Sequence, residues 1–351
     1  MSNVLVVGGA GYIGGWLTDR IRETGHSVRV FDILLYEDQY LKEVDFVHGN
    51  ILDRGAIRPH LEWADAVVWL AAMVGDGACS LDPDLTRAIN VDSVRWLASF
   101  YEGRIVFLST CSVYGAQDGL LTEGSPLNPL SLYAETKAEA EQALEDSDAI
   151  VFRLGTIYGV GDTYSRVRMD LVLNLLTVKA MLHGRISVFG GDQYRPLLHV
   201  RDVAAAVLPT LFSSHRGIFN LESENVTIRT LAERIEAFYP EVETEFTDLP
   251  FQDLRNYRVS SDKARSAFAF TPTLCVEDGI RQIAQVVQQG RVRDTSAPRY
   301  SNLDFLRPLL VPELSPLGRE IIVGHHFRTG RGGGAESERA VAPSIAAVNG
   351  A

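Results

Sequence analysis

The chain has 351 residues, more than one compact core usually holds, so two lobes are expected. Hydrophobic residues make up 46% and charged residues 22%, the balance of a globular protein and not of a disordered one. Lys and Arg number 33 against 45 Asp and Glu, and a net charge of -12 repels phosphate backbones and anionic lipid, which argues against nucleic acid and membrane surfaces as partners.

The first half alternates short apolar runs with stretches of helical period, the pattern of a parallel sheet covered on both faces. Strands are predicted at Val4–Val7, Ser27–Phe31, Asp45–His48, Ala66–Leu70, Arg104–Leu108 and Ala149–Leu154. Helices are predicted at Tyr12–Glu23, Leu85–Tyr101 and Ser131–Glu145. No basic stretch precedes Val4, so the first run reads as a strand and not as a signal peptide. The longest apolar run, Val67 to Val74, is strand-sized and far short of a membrane span. Past Gly161 the rhythm changes: a long helix is expected over Val167–His183, a strand at Ile186–Phe189 and a helix at Val203–Leu211. Gly217–Leu221, Ile228–Phe238 and Val276–Gln288 follow with less regular joins. The division is therefore 1–165 for the sheet domain, 166–290 for a smaller lobe, and 291–351 for a C-terminal extension, with the chain returning to the sheet near 198–220. Pro, Gly and Arg dominate the extension, and disorder is expected from about residue 329. Cys79, Cys111 and Cys275 lack metal-ligand spacing, so a reduced, cytoplasmic, zinc-free protein is expected.

The run Val4-Leu-Val-Val-Gly8-Gly9-Ala10-Gly11-Tyr12-Ile13-Gly14 leads from a strand straight into a helical pattern. Glycines there permit a tight turn, close approach of a pyrophosphate, and close packing of helix on sheet, while the helix N-terminus offers oriented N–H groups. Such a loop alone is a weak signal, since it can serve packing only. Asp32, ending the second strand, adds a carboxylate placed to accept hydrogen bonds from an adenosine ribose, and it disfavours a 2′-phosphate. Together they point to NAD as cofactor and to an α/β fold: a Rossmann-type doubly wound parallel sheet with a smaller C-terminal α/β substrate lobe.

Tyr133 and Lys137 are four apart in a helical stretch and so share a face. A phenol is a poor base at neutral pH, and a neighbouring ammonium favours its phenolate. Upstream, Ser109-Thr110-Cys111-Ser112 follows the fifth strand and clusters hydroxyls where ligands bind in open α/β sheets.

These residues together resemble the extended short-chain dehydrogenase/reductase family, and within it the nucleotide-sugar epimerases and dehydratases, UDP-glucose 4-epimerases among them, over about residues 3–290. The resemblance implies that Gly8, Gly11 and Gly14, with Tyr12 and Ile13 between them, bind the cofactor. Leu70, Ala71 and Ala72 sit at the family's His-x-Ala-Ala segment, where Trp69 replaces the His. Asn50-Ile51 takes the place of an Asp-Ile pair that contacts adenine, and Asn90 falls at the family's helix asparagine. Thr110, Tyr133 and Lys137 match the catalytic Ser/Thr, Tyr and Lys, the last two also touching NAD. On the substrate side, Thr156 stands where the family has a substrate-binding Asn, Asn174 matches the asparagine near the diphosphate, and Val188 lies on the strand beside the nucleobase. Arg195 matches the arginine that pairs with the diphosphate, and Arg255 is a second phosphate candidate. Asp76, between two glycines, reads equally as a ligand for a sugar hydroxyl or amine and as turn chemistry.

The family's shared step is oxidation of a sugar hydroxyl, most often at C4, through a phenolate base. Relatives that dehydrate across C5–C6 carry Asp and Glu after the Ser/Thr; here the two positions are Cys111 and Ser112, poor acids and bases at neutral pH. The expected activity is therefore an NAD-dependent nucleotide-sugar epimerase, with a 4,6-dehydratase or keto-sugar reductase as runner-up. A non-catalytic NAD-sensing protein is a further alternative, opposed by the presence of the whole hydroxyl–Tyr–Lys set. Cys111 acting as a thiol acid/base and a small residue packed under the sheet remain two readings of that position. The resemblance also implies a homodimer formed through the helices near 85–101 and 131–146.

Overall fold

The computed structural model describes residues 1–247, 255–311, 314 and 318–323. β1 (Asn3–Val7) turns through the glycine loop into α1 (Gly14–Glu23), β2 (Ser27–Asp32), β3 (Asp45–His48), α2 (Arg54–Trp63) and β4 (Ala66–Trp69). Three short helices follow, α3 (Asp76–Cys79), α4 (Pro83–Arg87) and α5 (Ser93–Phe100), the last two joined by a π-helical turn at Ala88–Asp92. Then come β5 (Arg104–Thr110), β6 (Ala116–Leu121), α6 (Leu132–Ala143), β7 (Ala149–Leu154) and β8 (Thr156–Tyr158). The later half adds α7 (Val172–His183), β9 (Arg185–Phe189), β10 (Tyr194–His199), α8 (Val203–Thr210), β11 (Gly217–Leu221), β12 (Glu224–Thr227) and α9 (Ile228–Glu236). It closes with β13 (Glu243–Thr247), β14 (Asn256–Val259), α10 (Asp262–Phe268), α11 (Val276–Gln288), α12 (Asn302–Leu310) and α13 (Gly318–Val323).

Seven strands form one sheet in the order β11-β7-β5-β4-β1-β2-β3, and every pairing in it is parallel. Because strand side chains alternate, β1 sends Val4 and Val6 to one face and Leu5 and Val7 to the other. The first face packs on Leu17 and Ile21 of α1 and Val203 and Val207 of α8. The second packs on Ile57 and Leu61 of α2, Leu97 of α5 and Ala140 of α6. With both faces covered, β5 is buried at all seven positions, which explains its unbroken apolar reading in the sequence. The strand order reverses between β1 and β4, and ligands of such sheets bind at the carboxyl ends of the strands there. The second lobe joins β8, β10 and β12 with the paired strands β9 and β13 under α7, α9 and α11, around Leu173, Val188, Leu197, Leu231, Ile235 and Ile280.

Several expectations change. The helix expected over Leu85–Tyr101 runs without a break from Pro83 to Phe100, but it contains a π turn at Ala88–Asp92 that carries Asn90. The helix expected from Val167 begins only at Val172, because the residues before it spend their polar groups locally. Asp162 accepts the N–H groups of Tyr164 and Ser165 at 3.1 and 2.6 Å, and Arg168 pairs with Asp170 at 2.9 Å. The extension, legible only as Pro-, Gly- and Arg-rich, contains α12 and α13, whose Leu306, Leu310 and Ile322 pack on Met73, Ala78, Cys79 and Leu85. The predicted disorder from residue 329 lies outside the described residues. Among the described residues no helix is long and apolar enough to cross a membrane. The outer side of α4–α6, where a dimer face is expected, carries Arg87 and Arg95 paired with Glu139 beside the stacked rings of Trp96 and Phe100.

One ion pair fixes α6 against the sheet. Arg153 of β7 meets Glu141 through Nη2 at 2.6 Å and Nε at 3.1 Å, and both side chains are buried. Ser109 of β5 donates to the same carboxylate, and the Arg153 Nη1 donates to Tyr114 at 2.8 Å. Tyr114 in turn donates to Asn220 of β11 at 2.8 Å. Removing one partner of a buried pair strands the other without water. Arg153→Met is therefore expected to cost about 3–5 kcal/mol of stability in urea unfolding, with a smaller loss in the double variant Arg153→Met/Glu141→Leu.

Candidate active site

The glycine turn is built as a cradle. Gly8 sits at φ 82°, and a Cβ there would lie 2.5 Å from the Ala71 amide nitrogen, so β4's exit packs directly on it. A Cβ at Gly14 would strike the Gly9 carbonyl oxygen at 2.5 Å, whereas one at Gly11 would meet only the Gly8 oxygen, at 3.3 Å. Gly11 thus keeps open the space before α1, a helix with no side-chain cap and no acid in its first turn. Asp32 accepts the N–H of Ala10 at 3.0 Å and of Leu34 at 2.7 Å, one on each oxygen, and burial pushes its carboxyl upward. Leu70 and Ala71 each donate their N–H to the Val7 carbonyl, at 2.8 and 3.0 Å, and Ala72 follows them along the same rim. Trp69 buries its indole in the core, where its N–H makes no hydrogen bond among the described residues.

Three expected cofactor residues also have structural work. Tyr12 reaches away from the turn and donates to the Gly159 carbonyl at 2.6 Å, which ties the glycine loop to the second lobe. Asn50 accepts from Leu52 N–H at 3.0 Å and donates to the Ile322 carbonyl at 2.6 Å, so α13 reaches the expected adenine position, while Ile51 packs into the core. Asn90 brackets Met73, accepting its N–H at 2.8 Å and donating to its carbonyl at 3.0 Å, and also donates to Thr136 of α6 at 3.1 Å. π turns inside α-helices frequently lie at functional sites.

Thr110, Tyr133 and Lys137 are brought together at the end of β5. Ser131 caps α6 by accepting the Ala134 N–H, and this sets Tyr133 in the first turn. The Tyr133 phenol hydrogen-bonds Thr110; burial pushes it up, while the Arg168 charge and the Thr110 contact pull it down. Lys137 is buried with its ammonium 4.2 Å from the centre of the Phe107 ring, and desolvation pushes it down to about 8 against the pull of Glu141.

Beyond Thr110 runs a polar chain toward the second lobe. Thr110 donates to the Ser112 hydroxyl at 3.1 Å, and Ser112 lies 3.4 Å from the Tyr257 hydroxyl. Arg255 donates to Ser112 at 3.2 Å and pairs with Asp76 at 3.6 Å, and Asp76 accepts from Ser131 at 2.6 Å. Arg195 is buried and donates to the Tyr194 carbonyl at 2.9 Å and to the Arg255 carbonyl. Asp76, Ser112, Arg195 and Arg255, scattered in sequence, therefore gather at one end of the site, with Thr156 on the neighbouring β8 beside Leu197.

Other expected substrate residues point elsewhere. Cys111 is fully buried, its Sγ donating to the Arg153 carbonyl at 3.2 Å, and burial pushes the thiol well up; it packs under the sheet and faces no substrate. Asn174 is fully buried and commits its carboxamide to Gly159 N–H at 2.9 Å and the Arg168 carbonyl at 2.7 Å, leaving little for a diphosphate. Val188 points into the lobe's core, so only its backbone is open to a base. Conversely Arg168, unremarked in the sequence because it lay inside an expected helix, is the cation that Tyr133 feels.

Comparison with known proteins gives the family and the fold. The sequence profile of the NAD-dependent epimerase/dehydratase family matches residues 4–221, and the chain belongs to that family. It is 27% identical to a dTDP-glucose 4,6-dehydratase of Streptomyces niveus, over 82% of this chain and 93% of that protein. It is equally 27% identical to a UDP-glucose 4-epimerase of Mycolicibacterium smegmatis, over 80% of this chain and 97% of the relative. Among solved structures, the Thermus thermophilus UDP-glucose 4-epimerase in complex with NAD superposes with a TM-score of 0.70 at 24% identity, covering 83% of this chain and all of that one, which speaks for the fold.

NAD, the family's cofactor, fits the residues present: the Gly11 opening, the uncapped start of α1 and the Asp32 carboxylate follow the order of its diphosphate and adenosine ribose. Lys137 supplies a test that does not need the substrate. An unfolded lysine holds its proton to about pH 10.4, whereas the buried amine releases it near 8. The unfolded chain thus binds more protons between these values, so stability rises with pH across that window and is penalised below it. Urea unfolding of the NAD-free protein is expected to gain roughly 3 kcal/mol from pH 8 to 10.4 relative to Lys137→Met, in which that rise is missing.

Proposed function

As a member of the NAD-dependent epimerase/dehydratase family, the chain is, we propose, a nucleotide-sugar 4-epimerase. When bound, NAD supplies the hydride acceptor for an oxidation and the donor for the reduction that follows. The protein's part is proton transfer and positioning. The Tyr133 phenolate accepts the proton of a sugar hydroxyl and returns it after reduction, with Thr110 hydrogen-bonded beside it. Lys137, one turn on from Tyr133 on the same face of α6 and over the Phe107 ring, would supply the ammonium that favours the phenolate and holds the cofactor's ribose. Arg195 and Arg255 at the far end of the polar chain suit the diphosphate of the substrate, since a guanidinium fork matches phosphate oxygens.

The observation that carries the choice of epimerase is the pair after Thr110. Expelling a C6 hydroxyl needs a proton donor and abstracting the C5 hydrogen needs a base. Cys111 is buried away from the site with its thiol pushed up, and Ser112 is a neutral hydroxyl bonded to Thr110. Dehydration is the second reading, favoured by Asp76, a carboxylate at the same end of the site that its partners Ser131 and Arg255 hold in place.

Incubation with UDP-glucose and with dTDP-glucose, followed by product analysis, separates the two. The expected product has an inverted 4-hydroxyl; a 4-keto-6-deoxy sugar sinks the epimerase reading. Tyr133→Phe is expected to lower kcat by about 10³-fold or more while the purified protein still binds NAD. Undiminished turnover in that variant would remove Tyr133 as the base.

A further inference from the structure

We propose that α12 and α13 form a strap across the dinucleotide groove, which NAD must part on entry and again on release. The proposal rests on the family's cofactor and holds whichever sugar reaction the chain performs.

In a parallel sheet, ligands meet the loops at the carboxyl ends of the strands, and the strap is fastened to three of those loops. After β2, Tyr36 packs on Phe305 of α12 with ring centres 4.7 Å apart, and Glu37 pairs with Arg299, just ahead of α12, at 2.7 Å. After β3, Asn50 donates to the Ile322 carbonyl of α13 at 2.6 Å. After β4, the Val74 carbonyl accepts from the Asn302 carboxamide at 2.8 Å, and a Cβ on Gly77 would meet Leu303 at 3.1 Å. The Asn302 N–H donates to Asp170 of the second lobe at 2.9 Å, so α12 also bridges the two lobes. At the start of α13, Arg319 pairs with Asp82, the cap of α4, at 2.6 Å.

Under these fastenings lies one apolar cluster, in which Leu306, Leu310 and Ile322 of the strap are buried with Met73, Ala78, Cys79 and Leu85. Leu35 from the loop after β2, Leu52 from the loop after β3, and Tyr133 of α6 all pack against it. The cluster therefore joins the rim beyond Asp32, expected to hold the adenosine, to the turn of α6 that carries the proposed base. A segment seated at both ends lies across the path between them. The family profile stops at residue 221, so the strap falls outside the matched region.

The strength of the fastenings is uneven. The Arg319 and Arg299 pairs are about half exposed and contribute little in water, whereas the buried Ile322 side chain contributes more. With six residues, α13 is too short to stay helical without that packing, so loss of the contact frees it as a unit. Every fastening runs from protein to protein, and closure is equally favourable over the free and the occupied groove. Opening then enters the association and dissociation rates as one common factor and leaves affinity nearly unchanged.

The test uses NAD alone, so its failure is separate from a failure of the epimerase reading. Full-length protein, Ile322→Ala and Phe305→Ala are mixed with NAD by stopped flow, and release is followed by a chase of excess ADP-ribose. Both rates are expected to rise about tenfold or more in Ile322→Ala and about three- to tenfold in Phe305→Ala, with Kd within about twofold of wild type. Wild-type rates in the folded variants overturn the proposal. So does a rise in dissociation alone, which makes the strap a fixed wall, or in association alone, which makes it a plug that NAD displaces. Should Ile322→Ala fail to fold, Arg319→Glu decides, because it sets two carboxylates against each other at an exposed edge and leaves the apolar cluster intact. It is expected to raise both rates about two- to fivefold, and unchanged rates there overturn the proposal as well.

Discussion

The site depends on where α6 lies against the sheet, and that is set by the Arg153–Glu141 pair. Tyr133, Lys137 and Glu141 recur every four residues along α6 and so form one stripe. Anchoring Glu141 to β7, with Ser109 of β5 on the same carboxylate, fixes the rotation and height of the whole stripe. Tyr133 then falls beside Thr110 at the end of β5 and Lys137 over Phe107 in its middle. Two desolvated charges contribute little net stability, since the attraction between them is offset by the water each has lost. What the pair contributes is registry. A leucine-lined contact would tolerate a slide of α6 that this fork and carboxylate do not.

The same logic explains why much of the sheet was readable and some of the site was not. Buried parallel strands carry apolar runs, so β1, β4, β5 and β7 appear near their observed bounds from residue type alone. The glycine turn is legible because its glycines answer a steric demand that any side chain at Gly8 or Gly14 would violate. Helix ends are less visible where polar side chains capture the backbone. Asp162 and the Arg168–Asp170 pair hold the chain just before Val172, residues 167–171, out of a helix that the apolar spacing suggests. The extension was harder still: its two helices are apolar on one side only because Met73, Cys79 and Leu85 wait for them, a partnership that composition does not reveal.

Residue roles diverged where a side chain had two partners to choose from. Asn50, Asn174 and Tyr12 were expected at ligands, yet each is engaged with protein backbone: Ile322, Gly159 and Arg168, and Gly159 respectively. Those bonds tie α13, the loop before α7 and the glycine turn to their neighbours. Cys111 resolves toward packing, since its sulfur turns to β7 while the backbone around it still aims Thr110 and Ser112 at the site. Motif position fixes which element a residue sits on; the direction of its side chain follows from neighbours far away in the chain.

Charge balance around the phenol then bears on the chemistry. Tyr133 is pushed up by burial, then by Cys79 and least by Asp76, and pulled down by Arg168 and Thr110. If Tyr133 is the base, as proposed, it would depend on positive charge nearby such as an oxidised nicotinamide would provide, and proton abstraction would then be coupled to cofactor state. Asp76 works against that coupling, and its pairing with Arg255 limits how strongly it does so. A dehydratase would need a second carboxylate or a comparable acid close to the sugar's C6, and a further negative group there would push the phenol up again. Neutral Ser112 and inward-turned Cys111 spare Tyr133 that burden, which is the electrostatic ground for preferring a reaction whose only proton transfer is at the oxidised hydroxyl.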